Sequence, residues 1–172
     1  MARVAQATGE TVNLAVLEAD EVVYIAQIPS RHNLRMFTEI GRRLPPHCTA
    51  AGKALLGQRP DPDVLTTLRR VKMTAFTPRT ITDEDEFIQH LDFVRQQGYA
   101  VEDGEHEAGV RSLAVPVLGA PRNMALAVSA PEARLSTTDA ARLVPMMRDA
   151  VSDLVTSLGP IGVSSGINPV RS

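Results

Sequence analysis

The segments TVNLAVLE (11–18) and EVVYIAQI (21–28) stand back to back, with only Ala19 and Asp20 between them. Both are rich in β-branched residues and partly alternating, a pattern that predicts a two-stranded hairpin. A second apolar pair, RSLAVPVLG (111–119) and NMALAVSA (123–130), repeats the pattern around Ala120–Pro121–Arg122. Two hairpins this far apart restrict the fold more than any other feature. Strands that come in hairpins build an antiparallel sheet, and the chain between them must pack on it.

The chain between them is patterned for helices. Thr49 is placed to cap a helix over 50–56, closed by Gly57. Asp61–Pro62 predicts the cap and first turn of a second helix, with Val64, Leu65, Leu68 and Val71 on one face. After a loop over 73–81, Thr82 is expected to cap a third helix. Its first turn carries Asp83 to Glu86, which the helix dipole favours. Phe87, Ile88, Leu91 and Val94 form its apolar face, and Gly98 ends it.

Shorter elements complete the reading. NLRMFTE (33–39) is expected to be a third strand, followed by an irregular crossover from Gly41 to Pro46. YAVED (99–103) reads as a short strand entering an acidic loop. Pro116 cannot donate to a ladder, so its strand is an edge there or is bulged. The last helix, about 138–158, carries the stripe Leu143, Met147, Val151, Leu154 and Leu158. Pro145 is expected to kink it or to split off its first turn. The order predicts an α+β fold, with helices packed on a central antiparallel sheet. The domain is expected to span 1–158. The tail 159–172 has little to bury and is expected to be disordered.

Composition narrows the function. No apolar run among the 172 residues approaches the ~20 of a membrane span. The opening MARVAQATGE lacks the apolar core of a signal peptide, so a cytoplasmic location without a membrane partner is expected. The single Cys48 rules out an internal disulfide framework and any multi-Cys metal cluster within one chain. A net charge of -2 argues against nucleic acid as a direct partner of this segment. The basic clusters Arg31–His32–Arg35, Arg42–Arg43 and Arg69–Arg70–Lys72 read as solvated surface.

One stretch, LPPHCTAAGKALLG (44–57), carries a candidate site. Its Gly-Lys pair suggests a phosphate loop, but that motif needs Gly five residues earlier and Ser or Thr after the Lys. Here His47 and Ala54 stand at those positions, so nucleotide hydrolysis is excluded. Cys48 beside His47 reads as a small packed residue in preference to a nucleophile. What remains is a helix start, Thr49–Ala50–Ala51–Gly52, whose backbone is barely covered. Its amides and partial positive charge attract a carboxylate or phosphate. The same small residues also suit tight helix–sheet packing, and the stretch alone leaves both readings open.

GYAVEDGEHEAGVRSLAVPV (98–117) and MALAVSAP (124–131), taken with LPPHCTAAGKALL and GETVNLAVL (9–17), widen the basis. In this order they resemble the effector-binding domain of IclR-family transcription regulators, over roughly residues 1–158. The resemblance implies a GAF-like fold and a pocket for a small organic acid, such as a 2-oxo acid, glyoxylate, a sugar acid or an aromatic acid. It implies a non-enzymatic sensor, without cofactor or metal, in a repressor or activator. Homodimers or homotetramers are expected, with DNA bound only through a winged helix-turn-helix module missing from this chain. By similarity, Thr49, Ala50 and Ala51 form the pocket floor and Met36 and Leu44 its walls. Glu102 stands where the family has Asp, with Val110, Ser112, Ala127 and Ser129 on the strands beyond. Gly104 replaces the first of the family's paired acids while Glu105 keeps the second. Ala127 replaces a common hydroxyl residue, so fewer side-chain hydrogen bonds to the ligand are expected. Acids of the loop beyond Glu102 are expected to be solvated.

Two alternatives remain at this point. His47, His106, Glu102 and Glu105 offer the nitrogen and oxygen ligands of a metal-dependent enzyme or metal sensor, though without paired spacing. The domain could also serve oligomerisation alone.

Overall fold

In the computed structural model, which describes residues 1–33, 39–120, 122–136 and 138–158, the two hairpins join at the middle of one sheet. The first comprises β1 (Thr11–Glu18) and β2 (Glu21–Ile28), and the second β5 (Val110–Val117) and β6 (Met124–Pro131). With β3 (Arg43–Leu44) and β4 (Ala100–Asp103) they form six strands in the order β3-β2-β1-β6-β5-β4. Each neighbouring pair is antiparallel, and β1 lies against β6 with Thr11 opposite Ser129. β4 reaches only as far as Ala114 on β5, so Pro116 falls where that edge is uncovered, as its missing N–H requires.

Alternation along the strands sends large and small residues to opposite faces. Val12, Leu14 and Val16 of β1, Leu113, Val115 and Val117 of β5, and Leu126 and Val128 of β6 make one core. Against it pack α1 (Ala2–Thr8), through Val4 and Ala5, and α5 (Asp139–Leu158), through Leu143, Met147 and Val151. The opposite face carries Ala15, Ala100, Ala114, Ala125 and Ala127. On this low surface lie α2 (Ala50–Leu56), α3 (Asp61–Val71) and α4 (Glu84–Gln97), contributing Leu55, Leu56, Leu68, Phe87 and Leu91.

Several expectations need correction. Residues 2–8 form a helix the sequence reading did not contain, closed by Gly9 in the left-handed region at φ 73. Pro60, not Asp61, is the N-cap of α3, which puts Pro62 at the second helical position. Asp83, not Thr82, caps α4, its carboxylate accepting from the Glu86 N–H. The helix α5 runs unbroken through Pro145, so no first turn splits off. The crossover after Gly41 contains β3 and a 3₁₀ turn over Pro46–Cys48. The strand expected at 33–39 falls largely on 34–38, outside the described residues, as does the tail 159–172.

Candidate effector pocket

All seven residues of α2 are buried, including Lys53. A helix without a polar face must be enclosed on every side. Gly52 explains how closely: a Cβ there would lie 2.2 Å from the Pro46 carbonyl oxygen. The preceding 3₁₀ turn therefore folds back directly over the first turn of α2. Thr49 joins the two, its hydroxyl donating to the Pro45 carbonyl at 3.3 Å and accepting from the Gly52 N–H at 3.2 Å. The Lys53 N–H is taken by the Thr49 carbonyl. Ala50 and Ala51 remain as the first-turn residues beside the cavity described next.

That cavity is a tight recess, with about 40 Å³ of room for a water-sized sphere and about 520 Å³ when its open mouth is counted. Leu44, Thr49, Ala50, Ala51, Glu102, Val110, Ser112, Ala127 and Ser129 all line it. The structure thus brings together nine of the ten residues singled out from the sequence. The tenth, Met36, lies outside the described residues. Tyr24, Arg42, His106 and Glu107 also line the pocket and were not anticipated. Arg42, taken with Arg43 as plain surface charge, is exposed yet contributes to the pocket wall. The Ser112 hydroxyl donates to that of Ser129 at 2.9 Å across paired strands.

The acidic loop after β4 is built, not merely solvated. Glu105 is buried, and the Lys53 ammonium donates to its carboxylate at 2.5 Å. This corrects the expectation of a solvated acid. Thr80 and Thr77 hydroxyls donate to the Glu105 and Gly104 carbonyls at 2.6 Å and 2.7 Å, fixing the loop from outside. The loop's amides turn inward: the N–H groups of Glu105 and His106 donate to Glu102 Oε1 at 2.7 Å and 3.3 Å. Asp103 faces away and pairs with Arg111.

Burial dominates the electrostatics. It pushes the Glu102 carboxyl up to about 7, against the pull of the two amides and with help from the Glu105 charge. Burial likewise raises Tyr24 to about 12, with Glu102 adding to the shift. Cys48, wholly enclosed, is raised to about 12 and stays a thiol, consistent with a packed residue. The same desolvation lowers His47 and His106.

The metal alternative finds no support in this arrangement. His47 Nε2 meets the Thr74 carbonyl at 3.0 Å, Glu105 belongs to Lys53, and Glu102 holds two amides. Among the described residues no three His, Cys, Asp or Glu side chains are grouped to hold an ion.

Residues 1–156 match the family described as bacterial transcriptional regulator IclR C-terminal. The chain belongs to the IclR family. The HTH-type transcriptional regulator KdgR of Dickeya chrysanthemi is 39% identical over 154 residues, which cover 88% of this chain and 50% of that protein. The HTH-type transcriptional repressor AllR of Escherichia coli K12 is 31% identical, over 92% of this chain and 59% of its own length. This chain therefore spans between half and three-fifths of those two relatives. The C-terminal domain of Escherichia coli KdgR superposes with a TM-score of 0.82 at 34% identity, over 93% of this chain and 94% of that domain. The inducer-binding domain of an Acinetobacter PobR double mutant, in complex with 3-hydroxybenzoic acid, gives 0.81 at 31% identity, over 89% and 91%. This IclR-family chain is an α+β effector-binding domain, and the relatives are transcriptional regulators, not enzymes. No helix among the described residues is long and apolar enough to cross a membrane.

Proposed function

We propose that this domain senses a small organic acid for a DNA-binding regulator, and that the pocket beneath Ala50 and Ala51 is the sensing site. The observation that carries the reading is the convergence of unlike donors on one cavity. The Ala50–Ala51 start of α2 and the Arg42 guanidinium offer positive potential for a carboxylate. Ser112, Ser129 and Glu102 offer polar partners for an oxygen elsewhere on the ligand. Val110, Leu44 and Ala127 supply apolar wall to the same cavity. The 3-hydroxybenzoic acid bound by the related PobR domain has this chemistry, a carboxylate and a hydroxyl on an apolar body.

In this reading the acid changes the arrangement of a dimer or tetramer, and so repositions DNA-reading modules attached through the end that bears α1. The uncovered edge of β5 near Pro116, with exposed Leu118 beside it, is the surface we assign to assembly. A thermal-shift panel of 2-oxo acids, sugar acids and hydroxybenzoates tests the sensing claim. An acid at a hundred times its dissociation constant adds about 2.7 kcal/mol to stability. A panel in which no acid raises the melting temperature contradicts it.

A further inference from the structure

We propose that, at a pH where the Glu102 carboxyl is ionised, the pocket takes up a proton on that carboxyl as it takes in an acid. The inference rests on the organic-acid reading above and deepens it. Glu102 is 3% exposed and lines the cavity. Two amides hold its Oε1, so the carboxyl cannot swing out to water without giving them up. Among the described residues no Arg or Lys nitrogen lies within ion-pair distance of it. The buried cation nearby in the fold, Lys53, is committed to Glu105. A carboxyl with no cation in ion-pair reach and a site for a carboxylate therefore share one small cavity, with Arg42 on its exposed wall. Like charges so placed are not both kept, and one group takes a proton.

Glu102 is the group placed to take it. Burial already raises the carboxyl to about 7, toward the neutral form. An anion arriving in the cavity favours the neutral one. The proton comes from solvent, an O–H bond forms on the carboxyl, and the acid stays ionised. The new O–H can donate to a keto oxygen of the ligand, where a carboxylate could only repel it. The ligand class is thereby narrowed to acids whose second oxygen can accept.

The other groups around the cavity do not serve as well. Tyr24 from β2 and Cys48 from the 3₁₀ turn stay protonated. Lys53 from α2 and Glu105 from the loop neutralise each other. Arg42, ahead of β3, and Glu107, from the loop, are exposed groups of opposite charge on the wall, while Ser112 and Ser129 from β5 and β6 are uncharged. Arg111 on β5 is held by Asp103. His47 within the 3₁₀ turn is bound to the Thr74 carbonyl. His106, held below the ordinary His range by burial, is a competing proton acceptor on the wall.

Calorimetric titration of 3-hydroxybenzoate and a panel of 2-oxo acids at about pH 8, in phosphate and in Tris, reads the proton directly. The expected result is a binding heat that differs between buffers by an uptake approaching one proton. Affinity should fall about tenfold per pH unit above neutrality. Glu102→Gln keeps the amide acceptor but cannot titrate, and should bind with the same heat in both buffers and no pH slope. His106→Gln should keep the uptake. Binding with equal heats in the two buffers overturns the inference while leaving the sensor standing, as does uptake that survives in Glu102→Gln. If no acid of the panel binds, both fall together. Carbon-detected titration of the ligand-free protein adds an independent arm. A Glu102 midpoint near neutrality supports the proposal, and one in the ordinary carboxylate range overturns it.

Discussion

Lys53 of α2 and Glu105 of the loop after β4 form a buried ion pair, Nζ to Oε1 at 2.5 Å, with the lysine wholly enclosed. The pair pins the loop to the helix whose first turn floors the pocket. Lys53 also reaches the Val101 carbonyl at 3.5 Å, so three segments meet at one ammonium.

Removing one partner leaves a buried charge without compensation. Lys53→Met should therefore cost about 3–5 kcal/mol. The double variant Lys53→Met/Glu105→Leu should recover most of that loss, because the apolar pair fills the same space without desolvating an ion. Urea unfolding followed by circular dichroism measures both. Additive losses in the double variant would deny the pairing.

Gly52 is needed for close approach, not for an unusual backbone angle. Alanine favours helix by about 1 kcal/mol over glycine in an open helix. Here its methyl would meet the Pro46 backbone at 2.2 Å, which no side-chain movement relieves. Gly52→Ala should instead destabilise by about 1–3 kcal/mol or more, the usual range for overpacking. A rise in melting temperature would show that the 3₁₀ turn does not lie where described.

Glu102 also links stability to pH. Its folded value of about 7 lies above its ordinary 4.5, so the folded state binds the proton more tightly. The stability tied to that proton is fully present below the unfolded value and is lost as pH rises through about 7. Relative to the parent, Glu102→Gln should be near neutral at about pH 4 and stabilising by about 3 kcal/mol at about pH 8. Paired denaturation curves across that range check the sign. A variant less stable at the alkaline end would contradict the burial argument.

Ala50 tests occupancy. Tryptophan at this position fills the space beneath the first turn of α2. Ala50→Trp should abolish the stabilisation by an acid, about 2.7 kcal/mol at a hundredfold excess over the dissociation constant. Its sedimentation should match the parent's, since the assigned assembly surface lies elsewhere. An unchanged ligand response would remove Ala50 from the site.

Much of this arrangement was legible in the chain, for identifiable reasons. β1, β2 and α2 follow from alternation, a capping Thr and a bare apolar run, all local signals. The helix α1 was not legible, because ARVAQAT offers only Val4 and Ala5 to bury and its N-cap makes no side-chain bond. Thr82 and Asp83 are adjacent and both able to cap, and only the backbone turn decides between them. Nine pocket residues followed from the resemblance to the IclR family, whose motifs they fall in. Tyr24, Arg42, His106 and Glu107 did not, since their convergence depends on how β2, the crossover and the loop meet in space. Lys53 left a signal that could have been used. AAGKALL has no polar face, and a lysine within a fully buried helix requires a buried acid, which Glu105 supplies.

The most direct measurement is amide-resolved NMR of the domain titrated with 3-hydroxybenzoate and the 2-oxo acid panel. The expected result is saturable shifts at Ala50, Ala51, Ser112 and Ser129, with α5 silent. Shifts confined to α5 and the free edge of β5, or no shifts with any acid, would contradict a carboxylate seated at the start of α2.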